Sequence, residues 1–294
     1  MRAIESTINS YYQKDIFSFS SMKITKRREW EYYGGTISKV RTSEGFPISN
    51  YRTLVEQIAD VTLWNREYEM FYRGQHKDYK DKNGKTVVYP RICRPERNPD
   101  GIYRTKIQSK TIEYRYNNIL DFINLIKNKE KYLDEYYFAL IQHYELMSTP
   151  LIDITQSLKV AATFALRNSD TGYLYVFGLP YPNGSISHFI DQKIVLVKLQ
   201  NVCPTRALRP RYQEGFMVGK YPFKPTKEAG DNLARRLVAK YLLKNVNGTF
   251  WDKDFQPLPD DILYPKKDLF EDELKRKMTA WTGKKQLLTI RSVL

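Results

Sequence analysis

Residues 153–179 read DITQSLKVAATFALRNSDTGYLYVFGL, and their pattern sets the fold class. The first half reads as a helix. Thr155 or Ser157 is placed to cap it, and Val160, Ala161, Phe164 and Ala165 recur on one face. Small alanines on a buried face let a helix backbone lie close against a sheet. The second half, GYLYVFGL at 172–179, has the aromatic and β-branched bias of a buried strand. KIVLVKL at 193–199 repeats that signal after a Pro-Asn-Gly turn.

Working outward, YEMFYRG at 68–74 reads as another buried strand, and Asn83-Gly84 is a hairpin-turn signal. Ser49 or Asn50 is placed to cap a helix over about 51–62, with Leu54, Val55 and Ile58 as its apolar stripe. Residues 107–127 carry Ile112, Tyr116, Ile119, Leu120, Ile123 and Ile126 at helical spacing, and a further helix is predicted over about 132–145. Downstream, 212–219 and 235–243 suit strands, although ARRLVAKYLL also suits a helix. FEDELKRKM is a helix with acids early and bases late, which complements the helix dipole. Helices mixed with central strands predict an α+β fold, a mixed central sheet flanked by helices. Residues 1–48 are expected as an N-terminal extension, with one domain and a C-terminal helical extension over 49–294.

Composition narrows the partners. Of the 294 residues, 48 are Lys or Arg and 33 Asp or Glu, a net charge of +15. Such a surface attracts polyanions. The 23 tyrosines often adjoin cations, as in Tyr103-Arg104, Tyr114-Arg115-Tyr116 and Arg211-Tyr212. Aromatics stack on bases while cations track phosphates. Cys93 and Cys203 form no disulfide framework, and a reducing, cytoplasmic setting is expected. His76, His143 and His188 show no zinc spacing, so no metal is expected. The N-terminus has no apolar signal core and no run reaches membrane-spanning length, so no membrane partner is expected.

Three segments carry candidate chemistry. In Phe71-Tyr72-Arg73-Gly74-Gln75, an arginine at the end of an aromatic strand needs an anionic partner when buried, either a ligand phosphate or an internal acid such as Asp153. Gly74 admits a ligand or a backbone close by. Gln142-His143-Tyr144 leads into Thr149-Pro150-Leu151-Ile152-Asp153-Ile154-Thr155, where Asp153 caps the next helix or faces a site. Arg211-Tyr212-Gln213-Glu214-Gly215-Phe216 puts a carboxylate before a Gly-aromatic strand, in a surface turn or a site. No Walker loop, dinucleotide fingerprint or nucleophile elbow occurs.

Together these segments resemble the FRG domain, which is marked by a Phe-Arg-Gly-Gln strand, a QHYG, TPLLDWT and SPxxALxFA block, and a later arginine with QQGxF. Here they stand as FYRGQ, QHYEL, TPLIDIT, SLKVAATFAL and RPRYQEGF, over about residues 50–270. Glu145 replaces the family glycine, one residue is inserted before Thr149, and Ile154 replaces the tryptophan. The resemblance implies a distant likeness to ADP-ribosyltransferases and their split sheet. It also implies a bacterial toxin, toxin–antitoxin or anti-phage defence setting. By that resemblance NAD is the co-substrate and no metal is needed. Glu214, Arg73 and Asp153 would be catalytic, and Arg73, Gly74, Gln75, His143, Tyr144, Thr149, Thr155 and Gln213 would hold the cofactor. The expected function is ADP-ribosylation of nucleic acid, RNA before others, with an antitoxin protein as a further partner. The alternative is a non-enzymatic nucleic-acid- or nucleotide-binding module. A metal-dependent nuclease fits less well, since no acid cluster supports two metals.

Overall fold

The computed structural model describes residues 37–95, 107–127 and 132–293. The Tyr103-Arg104 pair and residues 1–36 of the expected extension lie outside them. Eight strands form one sheet in the order β1-β8-β4-β2-β3-β7-β6-β5. They are β1 (Phe46–Ile48), β2 (Glu69–Gln75), β3 (Leu151–Thr155), β4 (Thr171–Leu179), β5 (Ile186–Phe189), β6 (Ile194–Lys198), β7 (Gly215–Lys220) and β8 (Leu237–Lys244). Only β1 with β8 is parallel. The sheet is therefore mixed, and helices flank it: α1 (Ile37–Thr42), α2 (Tyr51–Trp64), α3 (Ser109–Ile126), α4 (Asp134–His143), α5 (Leu158–Leu166) and α6 (Leu269–Val293).

The local signals work where their physics is local. Asn50 caps α2, its side chain accepting from the Thr53 backbone N–H at 2.8 Å. Ser157 caps α5 through the Val160 N–H. Asp153 caps nothing; it lies in the middle of β3. Two expected core positions differ. Val55 is 38% exposed, because the face of α2 that meets the core carries Tyr51, Leu54, Ile58 and Val61. Phe164 is half-buried and lines a cavity. The 235–243 ambiguity resolves as a strand. Its Lys240 is wholly buried and bonded to Asp78 at 2.8 Å, Thr86 Oγ1 at 2.8 Å and the Ser43 carbonyl. Part of the expected extension belongs to the domain, since β1 completes the sheet edge.

Two cores sit on the sheet. One joins Leu54 and Ile58 of α2 and the α5 alanines to Phe71, Ile152, Ile154, Phe216 and Val218. The other joins α3 and α4 to Leu151, Val195, Val197 and Met217. Alternation along β3 thus turns Asp153 to the α4 side, with Leu151.

β2 pairs with β4 along its whole length, from Glu69–Leu179 to Gln75–Tyr173. With β3 it shares one position, Tyr72–Thr155. α5 lies on β2 and β4 so closely that a Cβ on Gly74 would stand 1.9 Å from the Ala161 carbonyl, and one on Gly172 2.0 Å from that of Ala165. What approaches Gly74 is a helix backbone, and the expected small-residue packing is its cause.

Gly74→Ala is accordingly expected to destabilise by about 3 kcal/mol or more, at the upper end for overpacking, because backbone is the obstacle. Gly84→Ala, with nothing within 4 Å and a φ of +71°, should cost about 1 kcal/mol through φ alone. Urea midpoints of the two variants compare them; equal losses would contradict the helix–strand contact.

Candidate functional site

Where β2 parts from β3, a cavity of about 190 Å³ opens. Its first wall is Arg73. Alternation turns Gly74 onto α5 and sends Arg73 the other way, where Nη1 donates to the Asp153 carbonyl at 2.5 Å. The Arg73 Nε is buried without a partner. The expected arginine–acid pair is thus a bond to the acid's backbone, with the carboxylate left to other groups.

Those groups come from the end of α4. The Gln142 amide N–H donates to Asp153 Oδ2 at 3.0 Å, and Thr149 Oγ1 donates to Gln142 Oε1 at 3.0 Å, which fixes the amide's orientation. His143 Nδ1 stands 3.4 Å from Asp153 Oδ1. His143 Nε2 is buried without a partner. Gly215 makes room for this ring, since a Cβ there would sit 3.5 Å from His143 Cε1 and 2.9 Å from Leu199 Cδ1.

Burial holds the His143 imidazole below its ordinary 6.5, outweighing the opposing hydrogen bond and charge of Asp153. For Asp153, enclosure works to raise the carboxyl. The hydrogen bond and charge of His143, the Arg73 guanidinium and the Gln142 amide outweigh it, and the group lies below its ordinary 3.8. At neutral pH the pair is therefore a neutral imidazole donating from Nδ1 to a carboxylate, which leaves Nε2 as an acceptor at the cavity wall.

Arg209, opening the helical turn Arg209–Tyr212, also lines the cavity. Its Nη2 donates to Glu145 Oε1 at 2.7 Å, and its guanidinium lies 4.7 Å from the Tyr264 ring centre. Its Nε too is buried and unpartnered. Glu145 has a φ of +56°, the left-handed backbone for which the family motif supplies glycine. Phe164 meets Tyr264 edge-on at 6.0 Å.

Of the sequence-predicted residues, Arg73, Gly74, His143, Asp153, Thr155 and Gln213 line this cavity. Thr155 Oγ1 donates to the carbonyls of Gln213 and Glu214, at 2.8 and 3.1 Å, and so fastens β3 to the start of β7. Gln213 Nε2 is engaged by the Leu263 carbonyl at 2.7 Å. Thr149 stands behind Gln142. Tyr144 is buried with its hydroxyl on Asp268 at 3.0 Å, and Gln75 bonds Tyr175 and the Lys77 carbonyl. Glu214 is not brought in. It is exposed, with a φ of +45°, while its neighbours Gln213 and Gly215 line the cavity. Arg209, Glu145 and Tyr264 also line the walls, although none of them was expected as a site residue: Glu145 stood out only for replacing the family glycine, and nothing in RPRYQEGF distinguishes Arg209 from Arg211.

Three buried polar atoms without partners, on Arg73, Arg209 and His143, thus belong to one cavity. Each such atom costs about 1–3 kcal/mol unless something polar meets it. Two guanidinium donors suit a phosphate or carboxylate, and the imidazole acceptor suits a hydroxyl or amide N–H. Among the described residues no group of three or more His, Cys, Asp or Glu could hold a metal ion, and no helix is long and apolar enough to cross a membrane.

The family model of the FRG domain matches residues 68–173, a stretch that includes Arg73, His143 and Asp153, and this supports the FRG-domain family for the chain. Searches of curated proteins and of solved structures find no match.

The His143 environment sets a pH response. Its folded pKa lies below the unfolded 6.5, so the native state binds fewer protons between the two values. Its share of stability is whole above 6.5 and is lost as pH falls through the folded value. Asp153 adds a loss of the same sign, only below 3.8. Urea midpoints from about pH 7 to about pH 5 should fall for the wild type and fall less for His143→Gln. Parallel profiles would contradict a buried neutral imidazole.

Proposed function

We propose that the cavity between β2 and β3 holds the phosphates of NAD, and that the protein is an ADP-ribosyltransferase whose acceptor is nucleic acid, RNA before others. The observation that carries this reading is the pair of arginines, Arg73 and Arg209, each with a buried and unpartnered Nε on one cavity. Two planar cations on one cavity suit a pyrophosphate. The single β2–β3 pairing is in keeping with an ADP-ribosyltransferase-like split sheet.

Breaking the nicotinamide–ribose bond develops positive charge on the sugar, which a nearby carboxylate stabilises. Asp153 and Glu145 are the carboxylates that line the cavity. Asp153 is the stronger candidate, because His143, Gln142 and Arg73 keep it ionised. Glu214 stands on the turn between two lining residues and is the alternative acid. Gly74 acts by letting α5 close the wall. The net charge of +15 serves a polyanionic acceptor. Two buried free cysteines fit a cytoplasmic setting. A toxin or anti-phage role, with an antitoxin partner, extends the reading through the family.

One observation favours a second reading, a non-enzymatic nucleotide- or nucleic-acid-binding module: the exposed Glu214 leaves the third expected catalytic position outside the cavity.

The test is transfer of label from NAD into RNA, single-stranded DNA and protein, at low and moderate salt. Label is expected in RNA and should decline with salt, by a log–log slope of roughly −0.7 per phosphate contact on a single strand. Asp153→Asn should lower the rate by about 100-fold or more, as for removal of a preorganised charge, and Glu214→Gln by only a few-fold. The reverse ranking would return the acid role to Glu214. Label confined to protein would overturn the nucleic-acid acceptor. No label in any pool, with RNA still bound, would establish the binding module.

A further inference from the structure

A second cavity, of about 220 Å³, opens at the opposite end of the β3–β7 pair. The first cavity adjoins the Thr155–Gly215 pairing, and this one adjoins Ile152–Val218 and Leu151–Gly219. Its central polar residue is Asp231, which is 5% exposed. Asp231 Oδ2 accepts from the Glu228 backbone N–H at 2.6 Å, and the Asp231 N–H returns a bond to the Glu228 carbonyl at 3.2 Å. This reciprocal turn fixes the carboxylate. It leaves Oδ1 buried with no partner. A buried carboxylate oxygen without a donor is costly.

The surroundings say which donor suits it. Pro90, Pro150 and Leu233 give the cavity an apolar part, while Lys193 and Arg235, both exposed, stand at its rim. Apolar side chains suit the face of a planar ring, and the rim cations suit a phosphate. One acceptor oxygen inside suits a ring bearing an exocyclic amino group. The neighbouring internal cations are already engaged: Lys220 with Glu228, and Arg236 with the Gln192 side chain and carbonyl, at 3.2 and 2.9 Å.

From this arrangement we infer that the second cavity is a nucleotide site selective for a base with an exocyclic amino group, as cytosine, adenine and guanine have, over uracil. The amino group donates to Asp231 Oδ1, and the phosphate lies on Lys193 and Arg235. Uracil differs from cytosine at that position by a carbonyl in place of the amine, and would set oxygen against oxygen. The site is separate from the Arg73 cavity and does not depend on NAD chemistry. The same contacts serve a free nucleotide or a nucleotide within a single strand.

Calorimetric titration of the full chain with CMP, UMP, and short cytidine and uridine oligoribonucleotides, at low salt, tests this. CMP should bind at least about tenfold more tightly than UMP, the worth of one hydrogen bond to a charged group. Asp231→Asn is the sharper test. The amide oxygen keeps the Glu228 N–H, the amide NH₂ takes the place of Oδ1, and the preference should turn toward UMP. Lys193→Ala with Arg235→Ala, both at the surface, should weaken CMP and UMP alike and keep their ratio. A stronger response to the cytidine oligomer than to CMP would assign the site to nucleic acid, and equal responses would assign it to free nucleotide. Equal affinity for CMP and UMP in the wild type overturns the proposal whether or not Asp231→Asn folds. So does a cytidine preference that survives Asp231→Asn and is lost with Arg73→Ala, or the absence of binding by all four probes.

Discussion

A sheet is continuous only where neighbouring strands exchange backbone hydrogen bonds, and β2 and β3 share one paired position, Tyr72 with Thr155. Beyond it a side chain takes over from the ladder. The Arg73 guanidinium reaches the Asp153 carbonyl and holds the two strands at a fixed separation. α5 presses on one side of β2 through Gly74, and Thr155 draws β3 toward β7 through the Gln213 and Glu214 carbonyls. The gap these forces leave is the cavity. Filling it with ordinary strand pairing would remove the place where Arg73, His143 and Arg209 meet.

A short relay sets the chemical state of the wall. Thr149 orients the Gln142 amide, Gln142 and His143 together hold the Asp153 carboxylate, and the carboxylate in turn keeps the imidazole proton on Nδ1. Each member has one role because its neighbour has used up the alternative. The result is a fixed acceptor and a fixed negative charge side by side, in a cavity that Arg73 and Arg209 also line.

Much of this was legible in the sequence, and the exceptions have physical reasons. Elements with long unmixed patterns, such as α3, β4 and β6, fall within a few residues of their expected places. β3 carried no strand signal of its own, because LIDIT interrupts its apolar run with Asp153, the acid that lines the cavity. β8 looked equally helical because it is buried on both faces, and because Lys240, which reads as a surface charge, is neutralised inside by Asp78. Arg73, His143 and Asp153 were recognisable by motif. Arg209 and Tyr264 were not expected at the site, since they come together from separate segments only when the chain closes. Glu214 and Gln213 differ by one position, and the turn they form, with Gln213 helical and Glu214 at a φ of +45°, gave the cavity to Gln213.

Glu145 and Glu214 share an uncommon property, a left-handed backbone on a residue with a Cβ. Each conformation costs about 1 kcal/mol that glycine would not incur. Random replacement at these two sites therefore has a slope, and glycine lies downhill of both. A lineage drifting without use for the carboxylates would slide to glycine and gain stability as it did so. A chain that carries glutamate at both positions stands against that slope twice, once beside Arg209 and once on the open surface next to Gly215.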